Sequence, residues 1–246
     1  MKRKKIPVAI QLYSLRDVVP RDVPGTLRKV AAMGYQGVEF AGYYDLAGDV
    51  LRRMLDDCGL RCAGAHTSLD SLEGGAFDRT VAINKTLGND RLIVPGADLQ
   101  NLTHTIERLN AAHARAKACG MRVGYHNHTQ EFDLENGTAK FDRIFAETPG
   151  DFLVQLDIGW ATCAGQNIPV ILHKYAERIE TVHVKEFSRT DEKAVVGEGA
   201  VPWNALFEIL EKETAAQWYI VEQEKFAVGP MESVKTCIAN LRKMGR

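Results

Sequence analysis

With 246 residues, 45% of them apolar and 26% charged, the chain has ordinary globular composition, which excludes a disordered, collagen-like or coiled-coil polypeptide. Thirty-one Lys and Arg against 32 Asp and Glu leave a formal net charge of −1, so no basic excess draws in a phosphate backbone and no nucleic-acid partner is expected. Five cysteines without a C-x-x-C pair argue against a disulfide framework and for a reducing, cytoplasmic setting. No apolar run reaches the ~18 residues of a membrane span, so no membrane association is expected. The terminal run Lys2-Arg3-Lys4-Lys5 leads into a stretch too short for a signal sequence, which leaves open a leader removed ahead of this numbering.

From one end to the other, short β-rich runs alternate with helical patterns. Val8 to Leu12 reads as the first strand, and Val23, Leu27, Val30 and Met33 then recur near helical spacing up to the stop at Gly34. Gly37 to Phe40 is the second strand; Val50, Met54, Leu55 and Cys58 mark the next helix, ended by Gly59. Arg61 to Ala65 is the third strand, with a helix over 77–87 ending at Gly88, and Leu92 to Val94 is the fourth. Leu102, Ile106, Leu109 and His113 lie on one face of a long helix that stops at Gly120. A fifth strand begins at Arg122, a helix follows near 138–147, and Leu153 to Leu156 is the sixth strand. Ile168 to Ala176 is helical, Thr181 to Val184 is the seventh strand, and Pro202 opens the helix carrying Leu206 and Leu210. Trp218 to Val221 is the eighth strand, and Pro230 opens the last helix.

Eight strands, each followed by a helix, is the count of an α/β (β/α)8 TIM barrel. No G-x-G-x-x-G follows an early strand, as a dinucleotide-binding fold would require. No linker or charge block divides the chain, so residues 1–246 read as a single domain.

In such a barrel the reactive groups stand at the carboxyl ends of strands. The first strand delivers Gln11, Tyr13 and Arg16 there, the second Glu39 and the third His66. The fifth ends in Tyr125-His126-Asn127-His128-Thr129-Gln130-Glu131-Phe132, and the sixth in Asp157-Ile158-Gly159-Trp160. The seventh ends in His183-Val184-Lys185-Glu186, and the eighth in Glu222-Gln223-Glu224. Each group alone has an ordinary structural explanation. Together, several like charges at adjacent strand ends are costly to bury unless a cation compensates them. Three carboxylates and one imidazole form a fairly hard donor set that suits Mn2+, Mg2+ or Co2+, with Zn2+ a further option.

The order Glu-Phe on strand two, His on strand three, Tyr-His-Asn-His-x-x-Glu-Phe on strand five, Asp-x-x-Trp on six, His-Val-Lys-Glu on seven and Val-Glu on eight resembles the xylose isomerase-like TIM-barrel superfamily. The branch is that of the sugar phosphate isomerases and epimerases, and the likeness spans nearly the whole chain. It implies one divalent metal ion, Mn2+ first among the choices, and proton transfer beside the carbonyl of a sugar or keto-sugar. Carried over by position, Asp157, His183 and Glu222 are metal ligands. The fourth ligand is open between two residues. Many members end strand five in Glu-Asn-His, and here the aligned residue is His126, so either His126 replaces that glutamate or Glu131 supplies the carboxylate. Glu131 is favoured, because such ions in this superfamily usually see three carboxylates.

On this reading His126 and His128 face the substrate as acid, base or donor, and Glu131 and Glu222 act on its opposite faces. Lys185 polarises the carbonyl, while Tyr13, Glu39, His66 and Trp160 bind substrate. Trp160 stands where endonuclease IV, of the same fold, places a zinc-binding histidine, which argues against a DNA-repair nuclease. A metal-dependent sugar isomerase or epimerase is the leading expectation. A lyase or dehydratase acting on a 3-keto-glycoside or an inosose-like substrate is the alternative, carried by the strand-five histidines, and a silent sugar-binding barrel is the third reading. Gly197-Glu198-Gly199 is a candidate lid and Arg16 a candidate anion anchor. The expected partner is a small-molecule sugar, and a homodimer is suggested by analogy alone.

Overall fold

The computed structural model describes residues 4–246, so Lys2 and Arg3 of the terminal basic run lie outside the described residues. Eight parallel strands close a barrel: β1 (Val8–Gln11), β2 (Gly37–Phe40), β3 (Arg61–His66), β4 (Arg91–Val94), β5 (Arg122–His126), β6 (Leu153–Asp157), β7 (Ile179–Val184) and β8 (Trp218–Val221). Each pairs with its neighbours in sequence, and β8 returns to β1. Around them run α1 (Val23–Met33), α2 (Gly48–Cys58), α3 (Ala76–Leu87), α4 (Leu102–Ala118), α5 (Lys140–Ala146), α6 (Ile158–Cys163), α7 (Ile168–Lys174), α8 (Trp203–Glu213) and α9 (Pro230–Lys243). This is the (β/α)8 TIM barrel that the alternating pattern predicts.

Local chemistry sets the helix ends. Asp22 caps α1 by accepting from the Gly25 N–H at 2.9 Å, and Gly34 ends it with φ +93°, a conformation closed to most side chains. Two elements depart from the sequence pattern. The helix expected near 138–147 starts only at Lys140, because Thr138–Ala139 pairs back on Leu134–Glu135 across the left-handed Asn136-Gly137 turn. The six-residue α6 has no counterpart in the sequence pattern; it grows directly out of β6, too short to show a period.

Side chains alternate between the outside and the inside of the barrel wall. The outer set packs with the helices into one large core, whereas Ala9, Ala63, Trp218 and Ile220 form a separate apolar layer. At the amino-terminal end of the strands Arg91 pairs with Glu180 at 3.0 Å, and Arg122 pairs with Glu180 and, at 2.8 Å, with Asp90. The Arg61 guanidinium lies 4.5 Å from the centre of the Trp218 ring.

Two register shifts shape the carboxyl-terminal rim of the barrel. Val38 pairs with Cys62 but Glu39 with Gly64, and Val154 pairs with Ile179 but Gln155 with Thr181. One extra residue on β3 and one on β7 therefore redirect the wall just before Glu39 and Gln155, the usual effect of a bulge beside a site.

Candidate metal centre

Four side chains from consecutive strands converge: His126 from β5, Asp157 from β6, His183 from β7 and Glu222 just beyond β8. All are buried, and one donor atom from each lies within 4.8 Å of the others. Asp157 divides its carboxylate between two tasks. Its Oδ1 accepts from the Trp160 N–H at 2.7 Å and caps α6, which explains the Asp-x-x-Trp spacing, while its buried Oδ2 has no hydrogen-bond partner. His126 Nδ1 is likewise buried without a partner. Asn127 staples the two strand ends, donating to the Asp157 carbonyl at 3.2 Å and accepting from the Asp157 N–H at 2.9 Å.

Glu39, read from the sequence as a substrate contact, is instead fully buried beneath the four. Its carboxylate accepts from Gln11 Nε2 at 2.8 Å, Gln155 Nε2 at 2.7 Å and His183 Nε2 at 2.7 Å, and His66 Nε2 stands 3.3 Å away. A carboxylate only accepts, so this hub orients everything around it. The Gln155 amide nitrogen must face Glu39, its oxygen therefore faces His66 at 2.7 Å, and His66 carries its proton on Nε2. By the same logic His183 donates from Nε2, and its Nδ1 is turned to Glu222 Oε2 at 3.3 Å and Asp157 Oδ2 at 3.7 Å. Gly64 makes the hub possible, since a Cβ there would stand 2.7 Å from Glu39 Oε1.

Glu131 does not join the group. One oxygen accepts from the Tyr125 hydroxyl at 3.0 Å and the other from the His128 N–H at 2.7 Å, so the carboxylate is spent on folding the loop after β5. Where the sequence favoured Glu131 as fourth ligand and opposite-face base, the geometry presents His126. The residues that build this loop and hub, Gln11, Asn127 and Gln155, carry no functional assignment from the sequence; their one signal is buried amide chemistry at strand ends.

The electrostatics follow from burial and neighbours. Burial pushes the Asp157 carboxyl up to about 7, Glu222 adds to this, and Lys185 and His183 offset only part of it. Burial opposes a charged His183, but the Glu39 and Glu222 carboxylates prevail and raise it to about 10. His126 is driven well below its ordinary value by burial and by repulsion from His183 and His66. Burial also lowers His66, against the pull of Glu39. Glu222, despite burial, is held well below the usual carboxylate range by Lys185 and His183.

A divalent cation fits this donor set. Ligands around one four-coordinate ion stand ~3.4 Å apart, close to the spacing of the His183, Glu222 and Asp157 donors. Such an ion would satisfy the orphaned Asp157 Oδ2 and replace the His183 proton as counter-charge.

Above the four lies a cavity of about 400 Å3 lined by Tyr13, His66, His126, His128, Glu222 and Glu224. Tyr13 is exposed at its mouth, with the Arg16 guanidinium 4.6 Å from its ring centre. Arg16 also donates to the Glu224 carbonyl at 3.0 Å and the Tyr13 carbonyl at 3.1 Å, so it ties two loops together. Lys185 pairs with Glu224, stands 3.5 Å from Glu222 Oε2, and lies over the Trp160 ring at 4.4 Å. The segment expected as a lid is held in place as a scaffold. Glu186 accepts from the Phe187, Gly197 and Val201 N–H groups and from Trp203 Nε1, at 2.7–3.1 Å, and a Cβ on Gly199 would collide with the Phe187 carbonyl at 2.3 Å.

With this architecture in place, the comparisons with known proteins decide the family. The model described as "Xylose isomerase-like TIM barrel" matches residues 27–244. The chain belongs to that family. Curated relatives of this xylose isomerase-like barrel include the inosose dehydratase of Clostridium beijerinckii, 27% identical over 48% of this chain and 45% of the relative. The inosose dehydratase of Geobacillus thermodenitrificans is 24% identical over 81% of both chains. The chain spans about half the length of the first relatives it matches. Among solved structures, a sugar phosphate isomerase/epimerase from Parabacteroides distasonis superposes with a TM-score of 0.84 at 23% identity, covering 96% of this chain and 93% of the other. The 3-keto-D-glucoside 4-epimerase of E. coli gives 0.72 at 16% identity, covering 97% and 100%. At these identities the structural likeness speaks for the fold. The relatives and solved structures named here are enzymes by name, among them a dehydratase, an isomerase/epimerase and an epimerase. Among the described residues no helix is long and apolar enough to cross a membrane.

Proposed function

We propose that the chain is a divalent-metal-dependent enzyme that removes a proton beside the carbonyl of a keto-sugar or keto-cyclitol and then expels a β-oxygen, as a dehydratase or glycoside lyase. His126, Asp157, His183 and Glu222 would hold the ion. With two imidazoles and two carboxylates, this set is softer than the three-carboxylate set read from the sequence, and it favours Zn2+, Co2+ or Mn2+ over Mg2+. Bound there, the ion supplies electrostatic stabilisation for negative charge on a substrate oxygen.

The observation that carries the elimination reading is the occupation of both Glu131 oxygens. A second carboxylate on the opposite face, as the two-glutamate epimerase scheme needs, is thereby withdrawn. In its place the chamber wall carries His66, His126 and His128. Glu222 is the ion-facing carboxylate that reaches the chamber, and it takes the proton from the carbon next to the carbonyl. The electron pair of that C–H bond forms the carbon–carbon double bond as the β C–O bond breaks. The departing oxygen leaves as water or an alcohol with a proton from His128, whose ring lines the chamber. Lys185, ion-paired with Glu224 and 3.5 Å from Glu222 Oε2, adds positive charge behind the base. The inosose dehydratase relatives support this outcome. We place this activity in the cytoplasm.

Proton NMR in D2O tests the reading directly, using Co2+- or Mn2+-replete protein with scyllo-inosose and methyl 3-keto-glucoside. An enone with released water or methanol is the expected product. Deuterated isomer or epimer without elimination would return the protein to the isomerase/epimerase class, and no exchange with any keto-sugar would sink the reading.

A further inference from the structure

Two imidazoles hang on the Glu39 carboxylate, and only one of them is turned to the candidate metal centre. His183 and His66 both bring Nε2 to Glu39 Oε2, at 2.7 and 3.3 Å, and their rings lie within 6° of parallel with centres 5.2 Å apart. His183 Nδ1 is turned to Glu222 and Asp157. His66 Nδ1 has no hydrogen-bond partner among the described residues, yet it is not shut in as the buried Nδ1 atoms of His126 and His128 are. The His66 side chain keeps 10% of its surface open and lines the reaction chamber.

The ring's proton is placed from below. Gln155 Nε2 donates to Glu39 Oε1 at 2.7 Å and stands 2.9 Å from Thr181 Oγ1, so the Gln155 oxygen is the atom 2.7 Å from His66 Nε2. That nitrogen therefore faces two acceptors, Gln155 Oε1 and Glu39 Oε2, neither of which has a proton to give. A bare Nε2 would set lone pair against lone pair, so the proton is held there and Nδ1 keeps its lone pair. Gln11 braces the hub: its Nε2 donates to Glu39 at 2.8 Å while its Oε1 accepts from the Tyr13 N–H at 3.0 Å.

An atom that can only accept selects what stands against it. A hydroxyl can donate to it, whereas a carbonyl or ether oxygen brings a second lone pair and is repelled. A site built to bond a substrate hydroxyl discriminates strongly against analogues that lack it.

We propose that His66 is a specificity-determining residue whose Nδ1 accepts from one free hydroxyl of the sugar, so that the chamber takes keto-sugars unsubstituted at that position and turns the carbonyl away from β3. This deepens the reading above and rests on it for the substrate class alone; the choice between elimination and epimerisation does not enter.

Zn2+-replete protein carrying 15N-labelled histidine reports the tautomer by long-range proton–nitrogen NMR correlation. His66 is expected to carry its proton on Nε2, with a bare Nδ1 whose resonance moves when methyl β-D-glucoside, an unreactive probe, is added. Calorimetry then compares this glucoside with its 2-, 4- and 6-deoxyfluoro derivatives, in which fluorine replaces a hydroxyl and donates nothing. One of the three should bind about tenfold more weakly than the parent glucoside, the loss of one neutral hydrogen bond. His66→Ala should bring that ratio near unity, and His66→Asn, which keeps an acceptor close to the Nδ1 position, should retain part of it; thermal melting confirms that both variants fold. A proton on Nδ1, no glucoside-dependent shift, or a fluorine penalty that survives His66→Ala overturns the proposal. If the His66-dependent penalty holds while scyllo-inosose and methyl 3-keto-glucoside go unprocessed, hydroxyl recognition stands and the elimination reading falls. Elimination accompanied by a penalty indifferent to His66 removes the His66 assignment alone.

Discussion

The two ends of the barrel treat their ionisable groups in opposite ways. At the amino-terminal end Arg91, Arg122, Asp90 and Glu180 face one another as matched opposite charges, with the guanidinium donors spread over the carboxylates. At the carboxyl-terminal end Glu39, Asp157 and Glu222 crowd around imidazoles, and buried atoms on Asp157, His126, His128 and Trp160 have no partner. A paired network closes a barrel; an unbalanced one asks for a ligand. The contrast teaches where stability and function separate in this fold, since buried polar groups left unmatched cost free energy unless something binds them.

The largest expected effect comes from removing a donor at the unbalanced end. Asp157→Asn should lower ion affinity more than ~100-fold, exceeding the ~10–100-fold typical of residues behind the ligands. Because burial disfavours the Asp157 charge, the ion-free variant should melt no lower than the ion-free parent. Calorimetric titration with Co2+ and a thermal melt check both statements. Next in size is Glu39→Gln, which leaves the four donors in place but removes the acceptor that orients His183; ion affinity should drop ~10–100-fold. Unchanged affinity would mean that Glu39 serves only the fold.

The paired end should answer differently. Arg91→Ala leaves Glu180 with one partner fewer, costing about 3 kcal/mol and roughly 5–10 °C of Tm, with ion affinity unaltered. A smaller effect is expected from pH. His183, raised to about 10, and Asp157, raised to about 7, hold protons in the ion-free protein that an ion must displace. Apparent affinity should therefore rise about tenfold per pH unit between 7.5 and 9, and more steeply below 6. The same shifts mean that the ion-free folded chain binds more protons than the unfolded chain between pH ~4 and ~10. The contribution of these two groups to stability thus falls as pH rises through that window. Proton release measured in buffers of different ionisation enthalpy tests the sign.

Much of the molecule was open to a reading of the chain. Strands bounded by glycines and followed by helical periods give the barrel, and a barrel places strand-end residues at one rim, which brings Asp157, His183 and Glu222 together. The choice at strand five was not legible. Whether Glu131 folds back to the rim depends on the Tyr125 hydroxyl and the His128 N–H, contacts that spacing does not encode. Nor could Glu39 be told from a substrate contact, because its inward position depends on the shifted pairing with β3 and on the open space at Gly64. The role of Glu186 was hidden for a similar reason. Its four donors come from residues up to 17 positions away, and only the folded loop assembles them.

That loop bears on how a substrate is met. A segment held by one carboxylate through four donors has surrendered its conformational freedom during folding, before any sugar arrives. Association at this rim then orders little extra backbone, so its entropic cost is small and its heat-capacity change reflects the area covered on the ligand and cavity walls. The Glu186-held segment, in turn, is not a flap that turnover waits for, and Glu186→Gln, which weakens its anchoring, should make the rate more sensitive to solvent viscosity than it is in the parent.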